Sequence, residues 1–226
     1  MRRSHKAQVE KMAQVVDTLK ALYPSAECAL EWGGSDPWRL LVMGRLSAQC
    51  TDKRVNIVCQ DLFLAYPTAE AMAAANVSDV EELVKPCGLF HTKAKDLVEA
   101  SKRLVEVYHG VLPQTMEELL AFPGVGRKIA NLLLGDVFHQ PAIVTDTHCI
   151  RICGKLGFYP ETEKTPHKIE KILVKITDPA ESSDFCHRIV WFGRDVCTAR
   201  SPKCAECPMN QAGLCDHALR KNKTKS

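Results

Sequence analysis

The run Phe122-Pro-Gly-Val-Gly-Arg-Lys128 decides the fold of this chain, because it places two glycines between stretches with helical patterns. Gly124 and Gly126 bracket Val125 as in a tight turn between two helices, where glycine permits unusual backbone angles and lets another backbone come close. The N–H groups that open the second helix lack partners inside it and carry its partial positive charge. The turn is therefore predicted to bind a phosphate through the backbone, without reading a base.

Helical patterns recur along the rest of the chain, and strand patterns do not. The residues from Val9 to Leu22 follow one helix face until Pro24 ends it. Asp36-Pro37 is typical of an N-cap followed by proline in the first helical position, and it opens a very apolar helix that we expect to be central and buried. Further helices are predicted over residues 92–108, 126–137, 147–156, 166–176 and 184–196. The sequence therefore predicts an all-α protein.

Two short patterns add helix starts. Ser78-Asp-Val-Glu81 and Thr115-Met-Glu-Glu118 both have the spacing of a capping box and precede apolar residues. We therefore expect a helix to begin after Ser78 and another after Thr115.

Composition limits the class of protein. The 226 residues, 46% of them hydrophobic, suffice for one large or two small packed domains. A net charge of +3 gives no global basic field, so affinity for nucleic acid must come from locally placed lysines and arginines. No stretch has the length of an apolar membrane span, and no apolar signal region follows the basic N-terminus. We expect an intracellular protein, in the cytoplasm and associated with the nucleoid if it is bacterial.

Eleven cysteines in such a chain favour reduced thiols and a metal site over a disulfide framework. Seven lie among apolar neighbours, where we expect small buried hydrophobes: Cys28, Cys50, Cys59, Cys87, Cys149, Cys153 and Cys186. The others form the pattern Cys197-x6-Cys204-x2-Cys207-x7-Cys215, which can hold a structural zinc ion or an iron–sulfur cluster; spacing alone leaves both open. Between the first two, Arg200 and Lys203 are either surface charges or contacts to a phosphate backbone.

Lys128 and Asp146 combine an amine with a carboxylate. Lys128 lies in the first turn of the helix after the glycines, and we expect it to be partly enclosed there, in the neutral form that is a nucleophile. Asp146, in Val144-Thr-Asp-Thr-His148, is a candidate N-cap and a candidate catalytic group. Taken singly, they are a solvated lysine and a capping aspartate. Brought together, an amine and a carboxylate can cut a glycosidic bond.

Two further segments adjoin apolar helices. Gln49, in Leu46-Ser-Ala-Gln-Cys-Thr-Asp52, is a polar residue that follows an apolar helix. Taken alone, such a residue is a core amide whose hydrogen bonds are satisfied. Leu89, in Gly88-Leu-Phe-His91, either folds back into the core or is a wedge that enters a base stack and keeps a duplex kinked.

Together these segments resemble the endonuclease III family of DNA glycosylases, within the helix-hairpin-helix group that has a C-terminal four-cysteine cluster. The resemblance covers nearly the whole chain. It rests on residues 46–52, 88–94, 122–131 and 144–148 and on the four C-terminal cysteines. It implies two helical lobes with a cleft: a six-helix lobe with the hairpin at residues 30–140, and an iron–sulfur cluster lobe at residues 1–29 and 141–226. Lys128 and Asp146 are then expected to face each other across the cleft.

The resemblance also implies an activity and its residues. Lys128 matches the catalytic lysine and Asp146 the catalytic aspartate of a bifunctional glycosylase/AP lyase of base excision repair, which excises oxidised pyrimidines through a lysine Schiff base and cuts the strand by β-elimination. Gln49 matches the residue that fills the gap left by the extruded nucleotide, and Leu89 matches the wedge. The four cysteines match the ligands of a [4Fe-4S] cluster, although the last gap is seven residues here and usually five in the family.

The implied partner is double-stranded DNA containing damaged pyrimidines or abasic sites, bound by a monomer. Contacts with DNA are expected at Gln49, Leu89, Gly124, Val125, Gly126, His148, Arg200 and Lys203. An adenine glycosylase of the mismatch-repair type is one alternative, although it typically lacks the lysine and has a further C-terminal domain. A non-catalytic DNA-binding module, in which the pairing of Lys128 with Asp146 is accidental, is the other.

Overall fold

The computed structural model describes residues 3–25 and 27–223 and shows a helical protein. This part of the chain contains thirteen α-helices, two 3-10 turns and no strand, so the predicted all-α fold is confirmed. The helices are α1 (His5–Leu22), α2 (Pro37–Leu46), α3 (Asp52–Ala65), α4 (Ala69–Ala73), α5 (Val77–Val84), α6 (Phe90–Tyr108), α7 (Met116–Leu120), α8 (Arg127–Asp136), α9 (Thr147–Leu156), α10 (Pro166–Leu173), α11 (Ser182–Asp195), α12 (Pro208–Gln211) and α13 (Asp216–Lys223). The 3-10 turns are Lys85–Cys87 and Pro179–Glu181. Within the described ranges, no helix is both long and apolar enough to cross a membrane.

Side-chain caps set where several helices begin. The Asp36 carboxylate accepts a hydrogen bond from the Trp38 amide at 3.1 Å, at the start of α2. The Thr115 hydroxyl accepts one from the Glu118 amide at 3.3 Å, at the start of α7. Both predicted caps are confirmed, because each side chain satisfies an N–H group that has no partner within its helix.

The predicted helix start at Ser78 is wrong. Helix α5 already begins at Val77, and Asn76 caps it by accepting a hydrogen bond from the Ser78 amide at 3.2 Å. Asparagine and serine are equally good caps, so local chemistry does not choose between the two positions. Val80 and Val84 form the buried face of α5.

The chain divides into two compact units. The hairpin unit is Cys28–His139, and the cysteine unit consists of the chain up to Glu27 and from Gln140 onward. The hairpin unit holds seven α-helices, α2 to α8, where six were expected; α4 and α7 are only five residues long. Residues 1, 2, 26 and 224–226, which the prediction assigned to the cluster lobe, lie outside the described residues.

Helix α2 forms the centre of the hairpin unit, as its apolar sequence predicted. Residues 40–43 are each at most 1% exposed, and α2 packs against α3, α6 and α8. The Trp38 indole N–H donates to the Ser101 hydroxyl at 2.9 Å, so the polar atom of this buried ring has a partner. Helix α8, which follows the hairpin turn, therefore packs against a helix that has neighbours on several sides.

The cysteine unit packs α1 and α9 against α11. Its last helix, α13, is tied down at its first residue: the Asp216 carboxylate accepts hydrogen bonds from Lys11 at 2.9 Å and from Arg3 at 2.6 and 2.7 Å. Burial alone would raise the pKa of Asp216, but the hydrogen bonds from Arg3 and Lys11 lower it to about 2. Gly157 leaves room for this carboxylate, because a Cβ there would lie 2.0 Å from Asp216 Oδ2. These contacts fix the backbone next to Cys215.

Candidate active site

The turn between α7 and α8 is held by its own packing. Phe122 is buried, and its ring stacks on that of Tyr108 with centroids 5.2 Å apart. The Val125 amide donates to the Phe122 carbonyl at 3.1 Å. The Val125 side chain is only 7% exposed. We therefore assign any contact of Val125 with DNA to its backbone, because its side chain is part of the core.

The two glycines of the turn differ. Gly124 has a φ of +73°, and a Cβ there would lie 2.5 Å from Arg45 Nε and 2.7 Å from Asp96 Oδ2. Arg45 and Asp96 form an ion pair beneath the turn, with both Nε and Nη2 of Arg45 2.7 Å from Asp96 Oδ2. Gly126 is extended, with φ −99° and ψ 176°, and nothing lies within 4 Å of a Cβ added there. The chain itself requires glycine at position 124, whereas it leaves open space at position 126.

Lys128 is the second residue of α8 and its side chain is exposed. The expectation of a partly enclosed amine is wrong for the protein alone, because the neighbouring Ile129 and Ala130 supply the buried face of α8. Among the described residues, no side chain caps this helix. The start of α8 therefore presents backbone N–H groups together with an amine that a ligand can reach.

Asp146 caps α9, as the sequence predicted. Its carboxylate accepts a hydrogen bond from the Cys149 amide at 2.7 Å, and the residue is half-buried. A cap of this kind fixes the side-chain direction at the helix start. Asp146 thus combines a structural hydrogen bond with partial exposure.

His148 follows in the first turn of α9 and is held inside the cysteine unit. Its Nδ1 lies 3.2 Å from Arg151 Nη2, and Arg151 also donates to the Cys197 carbonyl and lies 3.6 Å from Cys197 Sγ. A Cβ at Gly193 would lie 2.2 Å from His148 Nδ1. The packing of α9 on α11 therefore fixes the ring, and any contact with DNA must use it in this orientation.

Gln49 and Leu89 share an unusual backbone. Their φ angles are +54° and +48°, in the left-handed region that residues with side chains rarely adopt. Both are exposed, Leu89 by 57%. Neither the core amide nor the leucine folded back into the core is observed. Strain of this kind costs about 1–3 kcal/mol and concentrates at functional sites.

Lys93 anchors both segments, and sequence reasoning missed it. This side chain is fully buried, and its Nζ donates to the carbonyls of Leu46 and Cys87, both at 2.9 Å. Leu46 lies three residues before Gln49, and Cys87 lies two before Leu89. The available signal was that Lys93 falls on the apolar stripe of α6. A buried ammonium needs such partners, so it holds the two backbones at a fixed separation.

The four C-terminal cysteines gather in the turn-rich segment between α11 and α13. Cys207 is buried, Cys204 is exposed and the other two are half-buried. Cys197 interacts electrostatically with Cys207 and Cys215, and Cys207 also interacts with Cys204. Burial raises the pKa of Cys197 and Cys207. A bound cation would offset that cost, because it stabilises the thiolate.

All four candidate ligands in this segment are free thiols. In the part of the chain that the structure describes, no three of them lie within 4.8 Å of one another. An all-thiolate donor set holds iron–sulfur clusters and structural zinc ions alike, so the donors fit a cluster and do not by themselves choose between the two.

Arg200 and Lys203 are both exposed on the loop between Cys197 and Cys204. Lys203 forms a surface ion pair with Asp195, with Nζ 3.3 Å from Oδ1. Exposed pairs of this kind contribute at most about 1 kcal/mol, so the pair does not prevent Lys203 from moving to a phosphate.

Two models of known protein families match this chain, one over most of its length and one over the cysteine segment. Residues 42–179 match the HhH-GPD superfamily of base excision DNA repair proteins. Residues 197–211 match the iron–sulfur binding domain of endonuclease III. That second match includes three of the four cysteines and ends four residues before Cys215.

Individual relatives agree over nearly the full length. The chain is 42% identical to endonuclease III of Synechocystis sp. over 210 residues, 92% of this chain and 93% of that protein. It is 38% identical to endonuclease III of Bacillus subtilis over 208 residues, again covering 92% and 93%.

Solved structures agree as well. A non-covalent endonuclease III–DNA complex matches with a TM-score of 0.87 and 34% identity, covering 95% of this chain and 98% of that one. A trapped endonuclease III–DNA covalent intermediate matches with a TM-score of 0.87 and 35% identity, covering 94% and 98%. These likenesses favour an endonuclease III over an adenine glycosylase or a non-catalytic module. The chain belongs to the endonuclease III family, and it is a base excision repair DNA glycosylase with AP lyase activity that binds DNA and an iron–sulfur cluster.

Proposed function

We propose that this enzyme excises oxidised pyrimidines from double-stranded DNA, with Lys128 as the nucleophile and Asp146 as its charged partner. The observation that carries the proposal is the exposed amine of Lys128 directly behind a turn suited to phosphate. The trapped covalent DNA intermediate of a related endonuclease III supports a mechanism in which a protein nucleophile bonds to the DNA.

The reaction begins when the damaged nucleotide leaves the stack, which costs a few kcal/mol and least for a poorly stacked lesion. Once Lys128 Nζ has given up a proton it attacks the anomeric carbon, while the glycosidic bond breaks and the base departs with the bonding electrons and takes up a proton. Ionised Asp146 stabilises the positive charge that develops on the sugar. The lysine adduct becomes an imine when the C1′–O4′ bond of the sugar ring breaks and the ring oxygen takes up a proton, and the imine acidifies the adjacent sugar proton. Loss of that proton expels the phosphate on the 3′ side and cuts the strand.

The remaining candidates bind and distort the duplex. The N–H groups at the start of α8 hold a phosphate, and the open space at Gly126 lets the DNA backbone come close. Gln49 fills the gap left by the extruded nucleotide, and Leu89 is the wedge between bases. Their exposed side chains on left-handed backbone support these roles. Arg200 and Lys203 bind phosphates and carry no sequence information.

Cys197, Cys204, Cys207 and Cys215 are proposed as the ligands of a [4Fe-4S] cluster, which shapes the loop that carries Arg200 and Lys203. We expect brown protein that contains iron and sulfide. Cys215→Ser should lower the iron content, whereas Cys186→Ser, at a buried cysteine outside the segment, should not. Zinc without iron in anaerobically purified protein would contradict this assignment.

Lys128→Gln tests the nucleophile. Strand cleavage and borohydride trapping on a lesion-bearing duplex should fall by at least about 10³-fold, because the attacking amine is lost. Binding to the same duplex should change little. The matched control is Lys102→Gln, which removes a lysine of the same unit that pairs with Glu99 at 3.5 Å. A trapped adduct that forms in Lys128→Gln at the normal rate would assign the nucleophile to another group.

Asp146→Asn separates charge from capping. Asparagine caps helices as well as aspartate does, so the free energy of unfolding should change by less than about 0.5 kcal/mol. Base excision should fall by about 10²–10⁴-fold, because the charge opposite the developing cation is gone. Both quantities are measured on the same preparation. Unfolding in place of lost turnover would make Asp146 a purely structural residue.

Lesion preference is tested by base release from matched duplexes. Oxidised pyrimidine should be released, and adenine opposite an oxidised guanine should stay. The reverse result would favour the adenine glycosylase. Sedimentation of the complex tests the proposed monomer, which should bind as one chain per lesion.

A further inference from the structure

Two cysteines lie at the Lys93 anchor. Cys50 directly follows Gln49, and Cys87 lies two residues before Leu89. The two thiols are close enough to interact electrostatically. Helix α3, which begins two residues after Cys50, packs against the 3-10 turn that ends in Cys87. The fold thus brings together two thiols that are 37 residues apart in sequence, next to both strained loops.

The two thiols differ in access. Cys87 is buried, as expected from its apolar neighbours, but Cys50 is half-exposed, which contradicts the expectation of a buried hydrophobe. Solvent and small reagents therefore reach Cys50, while its partner lies behind it.

Positive charge faces the pair. The Lys93 ammonium interacts with both Cys50 and Cys87, and the Arg54 guanidinium interacts with Cys87. Cations near a thiol favour the reactive thiolate. Burial, reinforced by the Cys50 thiol, nevertheless raises the pKa of Cys87 to about 12. Since Cys50 is the more exposed of the two, it is the thiol that meets a peroxide first, and Cys87 is the one that resolves the product.

We propose that Cys50 and Cys87 are a modification site, where a peroxide drives formation of a reversible disulfide that tethers the Gln49 loop to the Leu89 loop. The Cys50 sulfur attacks the peroxide, the O–O bond breaks, and water leaves behind a sulfenic acid. The Cys87 sulfur then forms the S–S bond, the S–O bond breaks, and a second water carries away the hydroxyl and the Cys87 proton. The two sulfurs lose two electrons and hydrogen peroxide gains two.

The bond changes the geometry of both loops. A disulfide holds its sulfurs about 2.0 Å apart, closer than two thiols in non-bonded contact. When the two sulfurs approach, the neighbouring backbone at Gln49 and Leu89, which is already in the left-handed region, is displaced. Oxidised protein should therefore bind damaged DNA less tightly, an effect that rests on the proposed roles of these two residues.

Formation of the bond is measured without DNA. The intact holoenzyme is treated with limiting hydrogen peroxide, alkylated and digested with trypsin plus a Glu-specific protease. The second protease is needed because Pro86 follows Lys85, so that Cys59 and Cys87 share a tryptic peptide. Cys59 is the natural rival, since it is buried and interacts with Cys87. We expect a Cys50–Cys87 link in wild type and in Cys59→Ala, and none in Cys50→Ala.

The consequence is measured on an uncleavable abasic-site duplex. The dissociation constant should rise about tenfold after peroxide, equivalent to about 1.4 kcal/mol, and a dithiol should restore it. Cys50→Ala should bind normally before and after treatment. Because it retains the cluster cysteines, it also controls for any damage to the cluster.

Two outcomes would overturn the proposal. One is a link between Cys87 and Cys59, or further oxidation of Cys50, in place of the Cys50–Cys87 link. The other is a Cys50–Cys87 link that leaves binding unchanged. The first measurement uses no DNA, and the second uses an abasic site in place of a damaged base. An error in the proposed preference for oxidised pyrimidines would therefore not imitate either outcome.

Discussion

The hairpin turn and the cysteine segment are both short and irregular, but they are held in different ways. In residues 122–128, Phe122 and Val125 are buried, and the Arg45–Asp96 ion pair lies beneath Gly124. In residues 197–215 the only helix is the four-residue α12, and Cys204 is exposed. The hairpin is organised by protein packing before any ligand arrives. The cysteine segment gathers four thiols, two of which are costly to bury without a cation, so we expect its order to depend on the cluster.

Removal of the cluster should have the largest effect, and it should change the cysteine segment while the hairpin turn stays as it is. After anaerobic chelation of iron, amide protection against hydrogen exchange should fall over residues 197–215, because a turn-rich segment with few buried side chains besides Cys207, Met209 and Leu214 loses its cross-link. Protection at Val125 and Ala130, which donate to Phe122 and Gly126 carbonyls, should persist. Equal loss in both regions would show that the hairpin also depends on the cluster.

Gly124→Ala should break the hairpin from within. The new Cβ would overlap Arg45 and Asp96 and require a left-handed alanine, so the free energy of unfolding should fall by roughly 2–4 kcal/mol. Gly126→Ala is the matched control, since its Cβ meets open space. Denaturant melts should show near-normal stability for Gly126→Ala, while DNA binding weakens because the backbone can no longer approach as closely. A similar loss of stability in both variants would contradict this distinction.

Asp96→Asn should act through the same contact more weakly. The ion pair with Arg45 is largely buried, and removing its charge should cost about 1–2 kcal/mol of stability. Glu99→Gln, on the same helix, removes an exposed partner of Lys102 and should cost less than about 1 kcal/mol. Chemical denaturation compares the two. If the two variants lose the same free energy of unfolding, the ion pair beneath the hairpin contributes no more to stability than a surface pair does.

Arg200→Ala combined with Lys203→Ala should have the smallest effect on the fold and a measurable one on DNA binding. Each lost phosphate contact lowers the log–log salt slope by about 0.9, so the double variant should be shallower by roughly two units. Titrations over a range of salt concentrations give the slope, and affinity should fall equally for all sequences. Lys203→Ala also removes the ion pair with Asp195, so the single variants are needed to assign the change in slope to one residue. An unchanged slope would place the duplex elsewhere.

Much of the fold followed from local sequence. The caps at Asp36 and Thr115, the apolar centre of α2 and the turn at Gly124 were all predicted, because each depends on residues a few positions apart. Where two local signals were equally good, as at Asn76 and Ser78, the sequence alone did not choose the start of α5.

The sequence by itself also determined the family and the candidate chemistry, because the order and spacing of an amine, a carboxylate and four cysteines are properties of the chain alone. Only the tertiary structure decided which glycine the hairpin requires, that Val125 is core, that Lys93 is buried between two loops and that Cys50 meets Cys87. These depend on side chains brought together from distant positions, where neighbours in space set burial, charge and clearance.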